Sequence, residues 1–173
     1  MRFVKAFLVV GTFLFIIITL LSLLIPSRIV VSRQVIIDAD KNKIYQQIVE
    51  LKNWKNWHPV FMLADPKAIK FSTPSFGKDA NCDILNNSKP THLIFTATDS
   101  NSIKFSLATK NEEEIENEIA IIPIPNQAAQ QVKWQSTSKL KWYPWEKFYG
   151  IFIDKLSGPG YEAALEGLKK YVE

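Results

Sequence analysis

Residues 31–61 read VSRQVIIDADKNKIYQQIVELKNWKNWHPVF, and they change period twice within one stretch. Ile29, Val31, Val35 and Ile37 alternate with Ser32, Gln34 and Asp38, the period of two that marks a half-buried strand. Arg33 alone interrupts the apolar face. Asp38 or Asp40 then offers an N-cap, and Ile44, Ile48 and Leu51 follow at helical spacing. The stretch continues through Trp54, Trp57 and Pro59, which predicts a second short helix or turn. One strand followed by two short helices is thus expected after residue 28.

Downstream, period two returns six times: Ile69 and Phe71; Cys82 and Ile84; Leu93, Phe95 and Ala97; Ile103, Phe105 and Leu107; Ile115, Ile119 and Ile121; Val132 and Trp134. The connections at 74–77, 86–90, 99–101, 110–113 and 123–127 are rich in Pro, Gly, Asn, Asp and Ser, and they are short enough for antiparallel neighbours. An antiparallel meander is predicted. Past Leu140 the helical period resumes. Trp145, Phe148, Phe152 and Leu156 share one face, and Tyr161, Ala164, Leu165, Leu168 and Tyr171 share another. Gly158-Pro159-Gly160 lies between them, with Pro159 suited to the first turn of the last helix, so a two-piece closing helix with a kink or hinge is expected. A curved sheet of this size needs a cover, and that helix is the obvious one.

Upstream stands FLVVGTFLFIIITLLSLLI, from Phe7 through Ile25, with no charged residue. At 1.5 Å per residue such a helix nearly crosses a hydrocarbon core of about 30 Å. A cleaved signal would have a shorter apolar run and a small-x-small exit, whereas this run exits as LLIPSR. The expected organisation is an N-terminal transmembrane anchor at 1–27 and one domain at 28–173, a single-pass protein whose partner through residues 7–25 is the lipid bilayer. Arg2 and Lys5 on one flank and Arg28, Arg33, Lys41 and Lys43 on the other oppose each other under the positive-inside rule. A short basic tail before an uncleaved anchor favours the domain on the extracytoplasmic side.

With 47% hydrophobic and 22% charged residues the chain has the balance of a folded protein. Removing Arg2 and Lys5 leaves 19 of the 21 basic side chains against 17 acidic ones. That near-balance, without a basic stripe, speaks against nucleic acid as a partner. One cysteine, Cys82, and two histidines, His58 and His92, exclude a disulfide and the cysteine-histidine zinc patterns, and no metal is expected. Six glycines form no phosphate-cradling loop, and no cofactor is called for. Glu112, Glu113, Glu114, Glu116 and Glu118 fall in a turn or alternate with apolar strand residues, as a solvated face does.

The opening stretch at 31–61 resembles the first strand and helix pair of the SRPBCC or START-like superfamily, of the polyketide cyclase/dehydrase type. VKWQSTSKL at 132–140 and the segment 142–173, with Leu165 and Leu168-Lys169 near its end, are similar to that superfamily's last strand and closing helix. The resemblance implies an α+β helix-grip fold, a curved antiparallel sheet around a long C-terminal helix, enclosing a cavity for an apolar small molecule. It also implies that Trp54, Trp57, His58 and Phe61 lie at the cavity mouth; Phe105, Trp134, Tyr149 and Phe152 are further candidate ligand-binding residues. The bland alternative for the aromatic cluster is core packing.

Three functions remain open at this level. The first is a membrane-tethered, non-catalytic binding domain for a lipid or other apolar small molecule. The second is a cyclase-, dehydratase- or hydrolase-type enzyme, with His58 as base and Glu146 or Tyr149 across the cavity. The third is a protein-interaction module with a filled core and an exposed apolar patch.

Overall fold

The computed structural model describes residues 2–85, 90–109 and 112–173. Helix α1 (Arg2–Ser22) leads into β1 (Arg28–Ile37), then α2 (Lys41–Val49), a 3-10 turn (Leu51–Asn56), α3 (Pro59–Leu63) and a second 3-10 turn (Pro66–Ala68). Six strands follow: β2 (Ile69–Phe71), β3 (Asn81–Leu85), β4 (Pro90–Thr98), β5 (Ser102–Thr109), β6 (Ile115–Pro123) and β7 (Gln130–Lys139). Helices α4 (Pro144–Gly150) and α5 (Ile153–Val172) close the chain. Most of the predicted turns at 86–90 and 110–113 lies outside the described residues.

The seven strands form one antiparallel sheet in the order β1-β7-β6-β5-β4-β3-β2, the predicted meander returning to pair its last strand with its first. A register shift between Phe95 and Ala97 marks a bulge in β4, which bends the sheet. Between α1 and β2 every helical segment starts on a side-chain cap. Asp40, rather than Asp38, accepts the Asn42 N–H to begin α2; Glu50, His58 and Asp65 serve the next three. The Asp38 N–H instead donates to Glu173 at the end of α5, tying the two ends of the domain together.

Three details differ from the expectation. First, α5 runs unbroken through Gly158-Pro159-Gly160, and the break falls at Ile151-Phe152, between α4 and α5. Proline here forfeits one N–H, while Gly158 makes room for the Arg33 guanidinium, which a Cβ there would displace. Second, Arg33, the one charge on the apolar face of β1, clamps α5. Its Nη1 and Nη2 donate to Asp154 at 2.9 and 3.1 Å, and its Nε donates to Glu162 at 2.5 Å. The fork holds the Asp154 carboxyl below its usual range. Third, the predicted face of Trp145, Phe148, Phe152 and Leu156 does not pack on the domain; Trp145 is 65% exposed and Leu156 61%.

The core is unevenly distributed. Ile37, Ile44, Ile48, Leu51, Phe95, Ile103, Ile121, Val132, Ala164, Leu165, Leu168 and Val172 fill the end of the sheet away from α1. Gly167 admits the Trp57 backbone against α5, because a Cβ at that position would overlap the Trp57 carbonyl oxygen. The opposite end of the sheet is defined by register: Arg28 pairs with Lys139, Ile115 with Ser138 and Leu107, Thr91 with Thr109 and Ile84. Beneath that end the space is not filled.

Helix α1 carries exposed apolar side chains along its length and is long enough to cross a membrane, a test that a signal sequence also passes. Two of its hydroxyls bond within the helix, Thr19 donating to the Phe15 carbonyl and Ser22 to that of Thr19. The helix stops at Ser22 rather than Ile25, since Leu24 and Ile25 make tighter three-residue bonds and Pro26 cannot continue them.

Candidate functional site

Between the sheet, α3 and the N-terminal half of α5 lies a cavity of about 340 Å³, inside the range of small-molecule sites. Its walls are Trp54, Phe61, Phe105 and Trp134 on the inner side, Ile84, Leu93 and Leu107 from the strands, and Val60 and Gly160, both exposed, at the rim. Thr91, Ser157, Tyr161 and His58 supply its polar atoms. Among the described residues no Asp, Glu, Lys or Arg lines it.

The aromatic walls are locked. Trp54 Nε1 donates to the Ile48 carbonyl at 3.0 Å, Trp57 Nε1 to that of Gln47 at 3.1 Å, and Trp134 Nε1 to Asn117 Oδ1 at 3.1 Å. With each indole N–H occupied, Trp54 and Trp134 offer the cavity ring carbon. Tyr161 donates its hydroxyl to Ser136 at 2.9 Å while its ring lies 5.0 Å from that of Trp134.

His58 sits among four rings: Trp54 stacked at 5.5 Å and 10°, Phe61 at 5.3 Å, Trp57 at 5.4 Å and Trp134 at 5.7 Å. Burial there disfavours the imidazolium and pushes the pKa from 6.5 down to about 4. The Val60 N–H donates to Nδ1, so the neutral ring carries its proton on Nε2. Among the described residues Nε2 has no hydrogen-bond partner, and it is not sealed from access. It is a neutral donor at the wall of an otherwise apolar space. Cys82 lies fully buried, and burial pushes its thiol up to about 12, which removes it as a nucleophile.

Of the eight residues singled out from sequence, Trp54, His58, Phe61, Phe105 and Trp134 line the cavity together. Trp57 is buried beside them without lining it. Tyr149 and Phe152 are a correction: both are more than half exposed on the α4 side of the molecule, because Gly150 rather than either aromatic turns inward against Leu140. Glu146 and Tyr149 border a separate outer groove with Lys139, Lys141 and Glu113, so neither faces His58 across the cavity. Leu93, Leu107 and Tyr161 were visible as inward positions by period. Thr91 and Ser157 carry no sequence signal, since hydroxyl residues are as common on open surface, and Gly160 was singled out only as part of a kink or hinge.

No family model matches the sequence, and no curated protein matches it. Solved structures match in fold. Norcoclaurine synthase from Thalictrum flavum superposes with a TM-score of 0.63 at 12% identity, over 83% of this chain and 92% of that one. The protein of unknown function SA2116 from Staphylococcus aureus gives 0.62 at 10%, over 84% and 93%. The hypothetical protein jhp0584 from Helicobacter pylori gives 0.60 at 13%, over 83% and 88%. At these identities the likeness carries fold alone. The chain therefore shares the helix-grip architecture of these structures, with its hollow under one end of the sheet.

Proposed function

We propose that this protein is a membrane-tethered binding domain whose cavity takes a lipid or other apolar small molecule without transforming it. The observation that carries the reading is the lining itself: locked aromatic rings and aliphatic side chains around about 340 Å³, with a few uncharged polar atoms to orient a guest. His58 Nε2–H suits a carbonyl, ester or hydroxyl oxygen on an otherwise apolar ligand. A flat or short-chain guest fits the aromatic walls, and a norcoclaurine synthase structure of this fold, in complex with dopamine and hydroxybenzaldehyde, supports a hollow that accepts ring compounds. The tether, α1, keeps the domain at the bilayer from which such a ligand partitions. The enzyme alternative finds its imidazole in the cavity wall but, among the described residues, no carboxylate to orient it, and the partners expected for it, Glu146 and Tyr149, border the outer groove.

The test is native mass spectrometry of the full chain released from mild detergent after incubation with a lipid and aromatic-ligand panel. Wild type should carry a small apolar adduct. Leu107→Trp, which extends a half-buried wall residue into the hollow, should lose it while the melting temperature stays close to wild type. An adduct-free wild type, or an adduct kept by the variant, refutes the proposal.

A further inference from the structure

Helix α4 turns Pro144, Lys147 and Gly150 inward and leaves Trp145, Phe148 and Tyr149 exposed. Trp145, Phe148, Tyr149 and Phe152 recur at helical spacing on that outer side, exposed by 65, 38, 55 and 54%. Trp142 (65%) and Ile151 (57%) extend the patch. A contiguous aromatic surface of this kind is unusual on a protein that faces only water.

Its position is set by one buried lysine. Lys147 donates to the Ile25 carbonyl at 2.9 Å and to Ser27 Oγ at 2.6 Å, and Leu140 donates its N–H to the Ser27 carbonyl at 2.8 Å. The exit of α1 and the root of α4 are thereby tied together, the two helices are in contact, and Leu23 and Leu24 at that exit are themselves exposed. Tryptophan and tyrosine, with an apolar body and a polar tip, favour the headgroup level of a bilayer.

We infer that α4 and its flanks, through Trp142, Trp145, Tyr149 and Phe152, form an interfacial contact with the bilayer that α1 crosses, lying in the headgroup–acyl boundary. This rests on the reading of α1 as a span. Its consequence is orientation. The strand ends bearing Ile84, Thr91 and Leu107 belong to the same end of the sheet as Arg28, where α1 enters, so the cavity rim turns toward the lipid surface. A ligand then passes from the bilayer to the hollow without crossing open water.

The experiment places the full chain in nanodiscs of phosphatidylcholine brominated near the headgroup end of its acyl chains and reads tryptophan emission. Trp54, Trp57 and Trp134 are at most 2% exposed, so quenching reports chiefly on Trp142 and Trp145. Bromolipid should quench wild type, and W142F/W145F should lose most of that quenching. Wild type retained through an alkaline wash but unquenched, or quenched equally with the variant, overturns the inference while the span stands. A dimer whose emission ignores bromine assigns the patch to a second copy and likewise overturns it. Loss of the chain on alkaline washing removes both, whereas an absent adduct with normal quenching refutes only the binding proposal.

Discussion

Stability should fall steeply on mild acidification because of one side chain, His58. Its pKa of about 4 in the folded domain compares with 6.5 when exposed. Between these values the unfolded chain binds a proton that the folded chain refuses, so stability rises with pH through the window and is lost as pH falls through it. From about pH 7.5 to about pH 5, exposed histidine becomes almost fully charged and buried His58 hardly at all, which amounts to about 2 kcal/mol of lost stability. Below about pH 4 both states are protonated and the loss levels off near 3 kcal/mol. The assay is urea unfolding of the full chain in detergent, followed by tryptophan emission at the two pH values, for wild type and His58→Asn. Asparagine retains an N-cap acceptor for α3 and does not titrate. All other titrating groups are shared, so the difference between the two pH dependences isolates His58. Equal losses in wild type and variant would refute the assignment of His58 to a desolvated aromatic setting.

Two glycines of α5 should respond in opposite directions. Gly160→Ala meets open space and should stabilise by about 0.5–1 kcal/mol through helix propensity, whereas Gly167→Ala must push back the Trp57 backbone and should cost about 1–3 kcal/mol; chemical denaturation reads both. Ile103→Ala, in the filled end, should cost about 2–5 kcal/mol, and Leu107→Ala, beside the hollow, clearly less; similar values would mean that the two ends are packed alike. Arg33→Gln should speed amide exchange in the first turns of α5, while Asp154→Asn alone, which leaves Glu162 in place, should do so less; exchange mass spectrometry separates them.

The strands were legible because burial on one face writes a period of two into β1 and β3 to β7, and because short polar connections leave antiparallel pairing as the simple solution. Helix α1 was legible from apolar length alone. The aromatic cluster around His58 was visible as a cluster, since Trp54, Trp57, His58 and Phe61 are close in sequence, but its meeting with Phe105 and Trp134 needed the curvature of the sheet.

Helical periodicity misled in one place. It grouped Trp145, Phe148, Phe152 and Leu156 as one face that the fold leaves exposed, because an apolar stripe reads the same in sequence whether or not protein covers it. Likewise Arg33 read as an interruption until α5 brought Asp154 and Glu162 over it, from 121 and 129 residues away.

Local chemistry in the chain thus determined which segments become strands, helices and turns, and that an apolar helix precedes them: these depend on neighbours a few positions apart. Whether the space between sheet and helix is filled or hollow, and which apolar faces are left bare, was decided only in three dimensions. Both depend on how side chains far apart in sequence divide one volume, and residue spacing does not encode volume.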